Sequence, residues 1–274
     1  MHFVVYLLHA YTLPCMGKRY HLAKTALIFK DYHKYSTQKV YLLTFIFIMK
    51  KYWWKILCVL LMLYILTAGL LFPVPAIPKL NESARNLYYH VPMWYVMIVC
   101  FLVSSIYAIR HLRKNSIADD LRSREFVNVG IGFGILGMLT GMEWASVAWG
   151  SPWSNDPKQV GAALCLLVYF AYAVLRHSIK NRLQQARLSA VYNIFAFALL
   201  VPLLFIIPAH FKSLHPGTDS KPFEALYSQA SAFRKVSVPA MFAWILLGIW
   251  IYDIRIRTIR LSSPELFKKS PQHS

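Results

Sequence analysis

Charge is scarce in this sequence, and what there is has mostly one sign. Asp, Glu, Lys and Arg make up 15% of 274 residues, with 30 basic side chains against 11 acidic ones. Soluble domains carry about 25% charged residues, so an ordinary water-soluble fold is a poor fit. Cysteine is equally sparse: Cys15, Cys58, Cys100 and Cys165. Three of them lie in apolar runs, and no CxxC or CxxCH spacing occurs. That excludes a thiol redox motif, a zinc ribbon and a thioether attachment motif, and leaves them as small packing residues. No Gly-rich phosphate loop, no internal repeat and no Ser/His/Asp or Cys/His constellation is present, so phosphoryl transfer and hydrolytic catalysis lose their usual marks. The N-terminus lacks the ordered basic, apolar and small-residue regions of a signal peptide.

What the chain has instead is apolar length. Hydrophobic residues make up 57% of it, and residues 56–72 run for seventeen positions without a charge. A helix needs roughly 17–25 such residues to cross a bilayer core, and lipid leaves the backbone no other way to satisfy its hydrogen bonds. Six spans are expected, at residues 52–72, 91–109, 126–149, 160–175, 190–208 and 236–254. The fold class is therefore an all-α membrane protein, a bundle of six transmembrane helices. The surplus of basic residues flanks the spans instead of forming one patch, which argues against nucleic acid and orients the chain. Lys50, Lys51, Lys55, Arg110, Arg113, Lys114, Arg176, Arg182, Arg255 and Arg257 fall on one side. By the positive-inside rule that side is cytoplasmic, which puts both termini inside. Residues 1–48 form a basic arm outside this plan, disordered, peripheral or preceding the natural start near Met49. Residues 49–262 make the membrane domain, and 263–274 a cytoplasmic tail.

This topology places three separate segments on the outer face: 73–90, 150–159 and 209–235. The middle one, with its junction, reads Trp149-Gly150-Ser151-Pro152-Trp153-Ser154-Asn155-Asp156-Pro157. Trp149 and Trp153 suit an interfacial aromatic belt and, about equally, a platform for a flat apolar ligand. Trp144 crowds the same junction. Asp156 before Pro157 is a helix N-cap signal, and capping is favoured over a carboxylate that also orients a loop amide or ligand. His90, ahead of Val91-Pro92, and His215, in a Leu-His-Pro-Gly turn, would each alone be an ordinary loop histidine. As a pair on one face they are candidate axial ligands for a heme iron, with His210 as a competitor. Glu143, near the outer end of the third span, is either functional, snorkelling, or paired with Arg85. Gly130, Gly132, Gly134, Gly137 and Gly141 are spaced to let helices approach.

The residues Trp149-Gly150-x-x-Trp153-x-Asn155-Asp156 resemble the tryptophan-rich WWD signature of heme-handling proteins: CcmC, CcmF and the CcsA-type synthases. Tyr89-His90-Val91-Pro92 is similar to the element that opens the second span of CcmC. Ser213-Leu214-His215-Pro216-Gly217 is similar to that family's second histidine element, and Thr140-Gly141 with Trp144 matches its TGxxW turn. The resemblance covers about residues 50–262; Asn155 departs from it, standing where the family has a third Trp.

The resemblance implies a heme-handling subunit of the bacterial inner membrane, working in c-type cytochrome biogenesis without catalysis of its own. His90 and His215 would be axial ligands to a transient, non-covalent heme b. Trp149, Trp153 and Asp156 would form the platform and docking site for a periplasmic heme chaperone, CcmE, and an ABC transporter, CcmAB, would be associated. Arg85 with Lys212 or Lys158 would pair the heme propionates. A CcsA-like synthase is the competing reading, disfavoured because those relatives carry histidines inside the membrane and no span here is expected to contain one. A permease or structural subunit with belt tryptophans is a third.

Overall fold

The computed structural model describes residues 37–74, 81–215 and 231–267. The chain divides into two compact units, Met1–Trp53 and Trp54–Ser274, and the second contains the bundle core and the candidate site. Most of the expected N-terminal arm lies outside the described residues. Its last part is helical, because α1 (Thr37–Leu71) begins there.

After a 3-10 turn (Asn81–Asn86) come α2 (Leu87–Lys114), α3 (Ile117–Trp149), α4 (Pro157–Ser178) and α5 (Arg182–Val201). The last of these continues through a π turn (Pro202–Ile206) to Ala209, and α6 (Ser231–Ser262) completes the bundle. Six helices are long and apolar enough to cross a membrane, matching the six expected spans. The described residues contain no strand.

The helices run further than the apolar runs do, because polar side chains stop them. Ser116 caps α3 by accepting from the Asp119 N–H at 3.2 Å. Gly150, in the left-handed region at φ 77°, ends α3 and donates to the Ser146 carbonyl. Asn181 caps α5 through the Gln184 N–H. The π turn is bracketed by Pro202 and Pro208. Pro208 has no N–H to offer the carbonyl five residues back, that of Leu203, and this oxygen packs against Gly161 of α4.

The core sits among α2, α3, α4 and α5. Phe101 stacks on Tyr169 and Phe126 on Tyr252, and Cys100 and Cys165 are buried in the same cluster. Gly130, Gly134, Gly137 and Gly141 present one face of α3, and side chains of α2 (Phe101, Met97, Trp94 and His90) occupy the space beside them. Gly132 faces open space instead.

The two ends of the bundle differ chemically. At the end where α2 stops and α3 starts, buried acids are neutralised one by one. Arg176 grips Asp120 with two bonds of 2.6 and 2.8 Å. Arg122 pairs with Asp119, and Arg124 and Arg255 with Glu125. Buried charge is tolerated only when paired in this way. The opposite end, where α2 begins and α3 stops, carries His90 and His215 with Trp94, Trp144, Trp149 and Trp153.

Candidate functional site

His90 is not in a loop. It lies in the first turns of α2, which begins at Leu87, and is 7% exposed. Val91-Pro92 does not mark the helix start, because the preceding 3-10 turn feeds the chain directly into α2, with Pro92 inside it. The second span therefore contains a buried histidine, so a lack of such histidines no longer counts against a synthase.

The His90 ring is held from several sides. Its Nδ1 lies 3.1 Å from Thr140 Oγ1. Trp94 Nε1 donates to its Nε2 at 3.3 Å. The Trp144 ring stands 6.0 Å away at a steep angle, with its own N–H donated to Ser83. The ring fits only because position 141 is glycine: a Cβ there would stand 2.6 Å from His90 Cε1.

His215 is fixed by Asp156. Its Nδ1 is 2.8 Å from Asp156 Oδ1, and Trp149 packs edge-on against its ring at 4.9 Å. Asp156 does more than cap. Oδ1 also accepts the Lys158 N–H at 2.9 Å, while Oδ2 accepts the Leu214 N–H at 2.6 Å and the Ser213 hydroxyl at 2.8 Å. Capping and histidine placement are thus one carboxylate's work: the favoured capping role holds, and Asp156 orients the Leu214 amide and His215 as well. Burial pushes the Asp156 carboxyl up, but the His215 imidazole, the Ser213 hydroxyl and the Leu214 N–H outweigh it and hold it well below the usual carboxylate range. An ionised Asp156 can only accept, so His215 Nδ1 is the donor in this pair. A carboxylate behind the imidazole is the usual way a metal-binding histidine is oriented.

His90 and His215 line one cavity of about 240 Å³. Its remaining wall is mostly apolar, with Tyr95, Ile98, Met138, Leu204 and Phe205, and Lys158 supplies a cation. The π turn contributes Leu204 and Phe205, as such turns often do at functional sites.

Other expected residues fall elsewhere. Trp149 touches His215 but does not line the cavity. Trp153 is 38% exposed and donates its indole N–H to Asn155 Oδ1 at 2.7 Å. Asn155, at φ 54°, thus braces Trp153 within the loop. Gln159 ties this loop to α4, accepting from Ser154 and donating to the Pro152 carbonyl. Arg85 is engaged away from the cavity lining: it pairs with Glu82 and donates to the Gly69 and Phe72 carbonyls. Lys212 and His210 are exposed and away from the cavity wall, and so is Glu143. Sequence reasoning missed Trp94, although its position one turn after His90 puts the two rings on one helix face.

The donor set suits an iron porphyrin. Two imidazoles share a cavity with an apolar wall and one ammonium group. Among the described residues no cluster of three or more His, Cys, Asp or Glu is built to hold a metal ion. A porphyrin brings four nitrogens of its own and asks the protein only for axial ligands.

Comparison with known proteins agrees with this chemistry. The family model described as heme exporter protein C matches residues 32–268, starting inside the arm that the sequence set apart. A cytochrome c biogenesis protein CcsA from Thermosynechococcus vestitus is 35% identical over 91 residues, 32% of this chain and 28% of the relative. One from Gloeothece citriformis is 44% identical over 63 residues, 22% of this chain and 19% of the relative. One from Welwitschia mirabilis is 35% identical over 72 residues, 26% of this chain and 24% of the relative. The matched stretch thus spans about a quarter of those relatives' length.

Proposed function

This chain belongs to the heme exporter protein C family, and from that premise we propose that it is a membrane heme carrier in c-type cytochrome biogenesis. It holds heme b non-covalently between His90 and His215 and hands it on, without transforming it. The observation that carries the reading is the single cavity lined by both imidazoles. Asp156 accepts from His215 Nδ1, so a neutral ring would turn Nε2 to the iron, and Lys158 stands at the cavity to pair a propionate.

The geometry favours a transient hold. At about 240 Å³ the cavity is smaller than the roughly 300–1,000 Å³ of common small-molecule sites. A porphyrin seats one edge in it and leaves the other available to an acceptor. The exposed Trp153 beside it suits docking of that acceptor, a periplasmic chaperone of the CcmE kind. An ABC transporter of the CcmAB kind is the associated partner that the family implies.

Orientation follows from the basic residues. Arg110, Arg122, Arg124, Arg176 and Arg255 gather at the end opposite the histidines, which the positive-inside rule assigns to the cytoplasm. The heme site then faces the periplasm of a bacterial inner membrane, and both termini lie inside.

A CcsA-like role in ligating heme to an apocytochrome is the second reading, favoured by the CcsA relatives and by the buried His90. The two are separated by supplying the heme-loaded protein with either acceptor. A carrier transfers heme to a purified chaperone and forms no thioether bond. Covalent cytochrome formed without any chaperone would establish the synthase instead.

A further inference from the structure

The indole of Trp94 does more than line the cavity. Indole has one donor and no acceptor, so in the 3.3 Å contact with His90 the Nε2 atom must accept. On the other side of the ring, the Thr140 hydroxyl sends its own proton to the Leu136 carbonyl at 2.8 Å, and its oxygen is left to accept from His90 Nδ1. Two independent partners therefore fix one tautomer, with the lone pair on Nε2. That is the nitrogen an iron needs, and the indole N–H already occupies it. Iron and indole cannot share one lone pair. The indole sits where it does because position 137 is glycine: a Cβ there would stand 3.0 Å from Trp94 Cε2.

We propose that Trp94 is a latch on His90: its N–H holds the ligating lone pair while the site is empty, yields it to iron, and takes it back as heme leaves. The proposal rests on the carrier reading above. A buried acceptor with no donor is strongly unfavourable, so a bare His90 would bind iron tightly and release it slowly. With the latch in place, iron gains only the difference between itself and the indole. Trp94 is thus a positioning residue that weakens heme binding, the opposite of an aromatic platform, and it suits a carrier that must let go.

The test uses the full chain in detergent with ferric protoporphyrin IX as probe and apomyoglobin as trap. Trp94→Phe keeps an aromatic ring and removes the N–H. It is expected to slow heme release about tenfold, equivalent to about 1.4 kcal/mol. Thr140→Val, which removes the Nδ1 acceptor, is expected to speed release. A packing role would make both variants release faster. An independent readout needs no heme: the indole N–H resonance assigned by Trp94→Phe is expected to move in the His90→Ala protein. If Trp94→Phe fails to fold, Trp94→Leu and that resonance decide instead. A bis-histidine spectrum with unchanged or faster release in the variant, or a resonance indifferent to His90, overturns the latch and leaves the carrier reading standing. Unchanged binding of the probe by the His90→Ala/His215→Ala protein overturns both.

Discussion

Asp156 Oδ1 and His215 Nδ1 lie 2.8 Å apart, and the same carboxylate caps α4 through the Lys158 N–H. A helix start and a loop histidine 59 residues away in sequence are thereby locked together. Asp156→Asn keeps a good N-cap but gives up the charge that orients the imidazole. Loss of such a carboxylate behind a metal ligand costs about 10–100-fold in affinity. Heme affinity should fall by about tenfold or more, while circular dichroism shows unchanged helix. Equal affinity in the two proteins would remove Asp156 from the site.

The same carboxylate sets an acid limit. Its folded-state pKa is depressed below its unfolded value, which is about 3.9. The contribution of Asp156 to stability is therefore full above about pH 4 and is lost as pH falls through the lower folded-state value. Thermal unfolding of wild type and Asp156→Asn, followed from pH 8 to pH 3, should show a constant gap down to about pH 4–5 and a shrinking one below. A gap that grows on acidification contradicts the assignment.

Gly141 stands at the back of the His90 ring, and a Cβ there would come 2.6 Å from Cε1. Gly141→Ala must push the ring off its place between Thr140 and Trp94. Overpacking of this kind costs about 1–3 kcal/mol. The variant should lose low-spin bis-histidine character and retain heme through His215 alone, seen as a shift toward a high-spin absorption spectrum.

The opposite end of the bundle should matter for folding and not for heme. Asp120 and Arg176 are both buried and joined by two short bonds. Removing one partner of a buried pair costs about 3–5 kcal/mol, whereas replacing both with apolar side chains is often neutral. Asp120→Asn should lower the melting temperature sharply, and Asp120→Leu with Arg176→Met should recover much of it. Heme spectra of the folded fraction should match wild type throughout. A spectral change would mean the two ends are coupled.

The six helices were legible in the sequence because lipid forces apolar length on any span. Their ends were less so. α3 starts at Ile117, not near residue 126, because Asp119, Asp120 and Glu125 are buried against arginines, and a count of charges sees only a polar loop. α2 starts before Val91-Pro92 because the 3-10 turn runs directly into it, and that hid the burial of His90. The pairing of His90 with His215 was legible from topology alone. Trp94 shows only as a spacing, one turn after His90 on the same helix, and the hold of Asp156 on His215 depends on a loop returning to the start of α4. Arg85 looked available until the carbonyls at the end of α1 claimed it.

If His90 and His215 hold one iron from their shared cavity, the spin state of that iron reports it. Purified protein loaded with ferric heme should be compared with His90→Ala and His215→Ala by absorption and electron paramagnetic resonance spectroscopy. The wild type should give a low-spin bis-histidine signal that each single substitution abolishes. A low-spin signal that survives either substitution would refute the shared axial pair.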